Sequence, residues 1–150
     1  MNRLFAFFAA LTLTAITFSS SGFASSADNI RFTLQPSSKN GLQLQLRSGS
    51  RGGANSMGSS FAPAELAGLD VAAFRAPGRR PLRFSLVREA GRIDCAGTGG
   101  NSSATGTCAF VADGEFARFL ESRGIRRPTR EQAYRLTLVE ASRSLVEAIR

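Results

Sequence analysis

Two cysteines, Cys95 and Cys108, and a scatter of arginines are the residues of this chain best able to do chemistry, and histidine is missing altogether. Without histidine there is no Ser-His or Cys-His activation of a nucleophile, no histidine-ligated zinc and no ordinary general base poised near neutral pH. Two cysteines alone cannot build a cysteine-rich metal site, and no cofactor motif is present. Gly97-Thr98-Gly99-Gly100 has the composition of a phosphate loop. It lacks the following lysine and lies between two strand patterns, so it reads as a hairpin loop. Lys39 is the sole lysine and sits in turn chemistry, which makes a poor Ser-Lys dyad. Glu89 with Asp94, or Asp113 with Glu115, could imitate the carboxylate pair of a glycosidase. The first pair flanks a turn and the second opens a helix, where acids favour the local dipole.

The sequence has a net formal charge of +8 with no histidine contribution, carried almost wholly by arginine. Guanidinium groups hold phosphate and carboxylate bidentately. Candidate anion-binding residues are therefore Arg79, Arg80, Arg83 and Arg88 around one strand, and Arg123, Arg126, Arg127 and Arg130 between two helices. Ordinary surface solvation competes with that reading, because the arginines form no tract.

The N-terminus sets the context for both features. Met1-Asn2-Arg3 is a short positive start, Leu4 to Phe18 is apolar but for three threonines, and small residues follow to Ala27. That order is expected of a secretory signal peptide over residues 1–27, with cleavage after Ala24 or Ala27. The apolar run falls short of the ~20 residues a membrane span needs, so no stable membrane insertion is expected after cleavage. A periplasmic or secreted location follows. There, Cys95 and Cys108 are expected as a structural disulfide rather than a redox pair, which usually has Cys-x-x-Cys spacing. Nucleic acid is then a poor candidate partner, and an envelope polyanion or envelope protein a better one.

The elements that must position these residues read as strands first. Ile30, Phe32 and Leu34 alternate with polar neighbours, as do Leu42, Leu44 and Leu46 beyond a turn ending in Asn40-Gly41, which predicts a hairpin. Residues 48–60 are rich in Gly, Ser and Asn and read as a flexible loop, with an edge strand near 55–61 as the alternative. Ala62 to Leu66 reads as a helical turn with Pro63 near its start. Leu82, Phe84 and Leu86 open a second hairpin system. If Cys95 faces Cys108 across the next hairpin, Ile93 faces Phe110, and placing Leu86 opposite Ile93 puts Phe84 opposite Cys95. All of these share one face, and a one-residue slip would turn every side chain over. Asp113 can cap a helix ending at Gly124. Thr129 with Gln132 opens a longer one to Ile149, whose buried face would be Tyr134, Leu138, Ala141, Leu145 and Ile149. A break near 138–142, or a strand over 134–139, is the alternative.

The strand from Leu82 to Arg88, its turn at Glu89-Ala90-Gly91, the glycine-rich hairpin and the strand bearing Phe110 together resemble a known unit. It is the strand-turn-strand unit in the non-catalytic C-terminal regions of BlaR-like bacterial membrane metallopeptidases, over residues 81–120. The zinc motif of that family needs histidines, so the resemblance implies a hairpin register and no peptidase activity.

The expected fold class is α+β, one domain over residues 28–150. An antiparallel sheet of four to six strands, built from hairpins, is packed by C-terminal helices. The expected function is an exported, non-enzymatic binding or protein-interaction module of the bacterial envelope. A small hydrolase using an unrecognised serine or carboxylate site is the alternative.

Overall fold

The computed structural model describes residues 29–149 apart from 39, 51 and 52, so the expected signal peptide and Lys39 lie outside the described residues. Among the described residues, seven antiparallel strands form one sheet: β1 (Ile30–Pro36), β2 (Leu42–Ser50), β3 (Gly53–Phe61), β4 (Leu66–Ala67), β5 (Arg80–Arg88), β6 (Gly91–Gly100) and β7 (Ser103–Ala112). Four helices accompany them: α1 (Val71–Arg75), α2 (Gly114–Ser122), α3 (Arg130–Leu138) and α4 (Arg143–Ala148). The α+β class, with an antiparallel sheet packed by C-terminal helices, is as expected.

The expected four to six strands become seven because β3 and β4 join the two ends of the sheet, whose order is β3-β2-β1-β7-β6-β5-β4. Residues 48–60, read as a flexible loop, instead complete a long hairpin that pairs residue by residue from Leu42↔Phe61 to Ser50↔Gly53. Glycine and serine have weak strand preference. Pairing along the whole of β2 overrides it, with Met57 opposite the buried Leu46.

This order forces curvature. β3 and β4 are neighbours in sequence yet lie at opposite edges, joined only by residues 62–65, which include a 3-10 turn over Pro63–Glu65. In a flat sheet the two edges would stand about 29 Å apart. The five Cα–Cα steps from Phe61 to Leu66 reach at most about 18 Å. The sheet therefore curls until its edges approach, and the Arg88 guanidinium of β5 lies 5.7 Å from the centre of the Phe61 ring of β3.

The concave face holds the core. Phe32, Leu34, Leu44, Leu46, Leu82, Phe84, Leu86, Ile93 and Phe110 are all buried there, and Phe32 meets Phe84 edge-on at 5.0 Å. The register foreseen for β5, β6 and β7 is the one observed, with Leu86↔Ile93, Phe84↔Cys95, Cys95↔Cys108 and Ile93↔Phe110. Cys95 and Cys108 are bonded as a disulfide with their Cα atoms 4.0 Å apart. The glycine-serine stretch between them is mostly strand. The reversal shrinks to Asn101-Ser102, both at positive φ (52° and 59°), as the twist-matched two-residue hairpin turn requires.

Helices close the two ends of the curl. α1, capped by Asp70, buries Phe74 and accepts hydrogen bonds from Asn101 and Ser102 at the β6–β7 turn. At the other end α3, opened by the Thr129–Gln132 capping box, sets Tyr134 against Phe110 at 5.4 Å. Gly124 (φ 75°) ends the α2 region as expected, with Ile125 N–H bonded to the Leu120 carbonyl.

The single long helix to Ile149 does not form. Glu140 turns to φ 56° and Ala141 N–H closes on the Leu136 carbonyl. Ala141 is thereby delivered to a second cluster with Ala90, Phe116, Leu120 and Val146. Ser142 then restarts the chain as α4. Leu145 and Ile149, expected to be buried, are 50% and 77% exposed, and Val146 takes the inward position.

Candidate functional site

Strand alternation sends every second side chain to the convex face of the curl, and the register sorts those side chains into cross-strand rows. One row reads Ser56, Arg47, Arg31, Thr107, Ala96, Arg83 across β3, β2, β1, β7, β6 and β5. The next reads Gly58, Gln45, Thr33, Thr105, Thr98, Pro81. Arg31, Arg47 and Arg83 are exposed, and none has an ion-pair or hydrogen-bond partner among the described side chains.

Arg31 and Arg47 stand directly opposite one another on adjacent strands. Like charges in that position disfavour the pairing they sit on. Arg83 lies three strands further on, about 14 Å from Arg31 at ordinary strand spacing. Between them is a hydroxyl-bearing strip of Thr107, Thr105 and Thr98. Arg79 joins the same strip, donating from Nη2 to Thr98 Oγ1 at 3.0 Å. A hollow of about 440 Å³ opens beside Arg83, lined by Ala67, Gly68, Ser85, Asp94 and Ala96. Asp94 is the carboxylate of this region. It accepts from Ser85 Oγ at 2.6 Å and from Arg92 Nε at 2.9 Å. The Ser85 bond above all, opposed by partial burial and aided by Arg92, holds its pKa below the usual carboxylate value.

The two arginine groups expected from the sequence are divided by the fold. Within the first, Arg83 and Arg88 point to opposite faces of β5. Arg80 closes on its own turn at the Pro77 carbonyl, 2.8 Å away, and only Arg79 and Arg83 serve the convex face. Arg88 faces inward and is tied to Glu140 at 2.6 Å and Glu65 at 3.5 Å. Within the second group, Arg123 pairs with Glu147 and stacks on Phe119, and Arg127 pairs with Glu121 at 3.3 Å. Arg130 donates to the Phe110 carbonyl at 2.7 Å and covers that residue's ring. Arg126 lines a groove with Ile125, Pro128 and Leu136. These arginines mostly hold elements together.

Arg31 and Arg47 were missed by sequence reasoning although a signal existed. Once Leu34 is set opposite Leu44, Arg31 must face Arg47. What no local pattern showed was that β1 continues into β7, which joins both to Arg83.

The candidate carboxylate pairs have structural duties. Glu89 accepts from the backbone N–H of Arg143 at 3.0 Å and from its guanidinium at 2.9 Å. Asp113 caps α2 through Phe116 N–H at 2.7 Å, and Glu115 pairs with Arg118. Among the described residues no cluster of three or more His, Cys, Asp or Glu could hold a metal ion, and no helix is long and apolar enough to cross a membrane. No protein family, no curated protein and no solved structure matches this chain.

Proposed function

We propose that the chain is an exported, non-enzymatic binding module of the bacterial envelope whose convex sheet face holds an anionic polymer. The observation that carries this reading is the Arg31–Arg47 pair, placed opposite in register with no carboxylate paired to either among the described residues. An anionic chain laid across the strands meets these two guanidinium groups first. It then meets the threonine strip as hydrogen-bond donors, and Arg83 and Arg79 beyond. Export rests on the order of charge, apolar run and small residues at the N-terminus. The exported product is expected to begin at Ser25 or Asp28, which mass spectrometry reads directly.

Net charge alone retains a basic protein on an anionic resin, so the test needs an equal-charge control. Arg31→Glu/Arg47→Glu is expected to elute from phosphocellulose at clearly lower salt than Arg126→Glu/Arg127→Glu, which makes the same change in charge elsewhere. Equal elution of the two variants would mean that the face has no special role, and the reading falls.

A further inference from the structure

We infer that the free edge of β3 is a strand-addition site for an extended acidic segment of a partner protein. β3 runs nine residues in unbroken register with β2, and as the terminal strand of the sheet it has no partner on its other side among the described residues. Its sequence, Gly-Ala-Asn-Ser-Met-Gly-Ser-Ser-Phe, contains no charge and no proline, and no bulge interrupts it. Those are the devices by which sheet edges are normally protected from pairing with other chains. The opposite end of the sheet uses them. β5 carries Arg80, Pro81, Arg83 and Arg88, and β4 covers it at Ser85 and Leu86.

The space beside β3 suits an added strand. Two hollows of about 370 Å³ and 340 Å³ lie along it and share Met57, Leu138 and Val139. Ser56 and Met57 both line the first, and Gly58 and Ser59 both line the second. Neighbouring residues point to opposite faces, so each hollow takes in the backbone edge of β3, and the first also reaches onto the concave face at Leu46 and Ser48. The opposing wall is the C-terminal end of α3, with Leu138 and the capping residue Val139, the latter 69% exposed. Apolar residues Leu46, Met57, Tyr134 and Leu138 contribute to the lining. An edge strand facing a helix across an apolar groove is a recurrent arrangement for taking up an extended peptide. Main-chain bonds supply affinity and alternate side chains specificity.

Charge chooses the occupant. A strand added beside β3 extends the row that ends in Ser56, Arg47 and Arg31, so its outward residues continue a basic row with no ion-pair partner among the described residues. A second copy of this chain, at +8, would bring like charge to the same place. The fitting segment alternates aliphatic residues inward with acidic residues outward. Its acidic half rests on the anion-binding reading above, whereas its backbone half does not.

The probe is a labelled ten-residue peptide alternating valine with glutamate, compared with a valine–lysine version, on the full chain. The valine–glutamate peptide is expected to bind saturably, at least ~10-fold tighter than its lysine counterpart, and to slow exchange of the β3 amides that β2 does not engage. Ser56→Pro, which removes an edge donor, and Val139→Asp, which charges the opposing wall, are each expected to weaken binding about 5-fold or more. If Ser56→Pro does not fold, Val139→Asp carries the comparison on an exposed residue. Binding that leaves β3 exchange unchanged, or that Val139→Asp does not weaken, overturns the site. Equal binding of the lysine peptide overturns the acidic assignment. Protection of those amides without peptide overturns the partner: at dilution it assigns the groove to the chain's own residues, and only at high concentration to a second copy. Failure of the polymer reading shows separately, as equal resin elution of Arg31→Glu/Arg47→Glu and Arg126→Glu/Arg127→Glu.

Discussion

Tyr134 is the only tyrosine in a chain without tryptophan, and it is 2% exposed. Burial pushes its pKa up, a side-chain hydrogen bond with Ser48 works the other way, and the negative charge of Glu131 adds to the rise. A folded value above the unfolded one (~10) means the unfolded chain gives up its proton first. The stabilising contribution is thus complete below that unfolded value and is lost as pH rises from it through the folded value. Phenolate absorbance reads this residue alone. We expect its midpoint above that of a free tyrosine and coincident with alkaline unfolding, and Tyr134→Phe should flatten the alkaline loss of stability. A midpoint at the free value would remove burial as the cause. The same scale separates arginines that the sequence presents as equals. Arg88, Arg123 and Arg130 are engaged by carboxylates, carbonyls and rings, and Arg31 and Arg47 are not engaged by any described residue.

Elements here are decided by pairing more than by propensity. The β6–β7 hairpin was legible because Ile93, Cys95, Cys108 and Phe110 constrain one another from both strands. Gly97, Gly99 and Gly100 were legible only as loop residues, and they lie in the sheet. Gly97 and Gly106 face each other in register. A Cβ at Gly106 would lie 2.2 Å from the Ala96 carbonyl oxygen and 2.7 Å from the Phe32 ring, and one at Gly97 2.0 Å from the Thr105 carbonyl oxygen. The backbones approach there because no side chain stands between them, and the Phe32 ring covers the gap. Gly106→Ala is therefore expected to destabilise by about 1–3 kcal/mol, through forced displacement of backbone and ring. Gly114→Ala, where an added Cβ meets nothing within 4 Å, should be close to neutral or stabilising. Urea unfolding of both variants checks the contrast. The single helix over 130–149 gives way to the alternative, a break near 138–142, for a related reason. Its steps of three and four were correct up to Leu138, and the chain then turned to feed Ala141 and Val146 to a cluster built by α2.

For the molecule as a whole, the curl brings together groups far apart in sequence, and Arg88 sits where they meet. It ties β5 to Glu65 in the β3–β4 connection, to Glu140 in the α3–α4 turn and to the Phe61 ring of β3. Its side chain is 19% exposed, and its Nε is buried without a partner among the described residues. Glu65 and Glu140 are 44% and 63% exposed, so they return to water easily if the arginine is removed. What Arg88→Ala loses is chiefly the packing and ring contact that hold the two sheet edges together, about 1–2 kcal/mol. The exposed Arg92–Asp94 pair lies on one strand and closes nothing, so Arg92→Ala should cost at most about 0.5 kcal/mol. Comparable losses in chemical denaturation would show that Arg88 has no fastening role.

By itself the sequence determined the α+β class, the β1–β2 hairpin, the three-strand register with its disulfide, and the caps of α2 and α3. Each of these follows from local period, turn chemistry or side chains that must match across a short reversal. The tertiary structure alone decided that β1 pairs with β7, that β3 and β4 become opposite edges drawn together by four residues, and which arginines face solvent unpaired. Those outcomes depend on contacts between segments distant in sequence, for which no short stretch carries a signature. The convex arginine row and the bare β3 edge exist only once such contacts have formed.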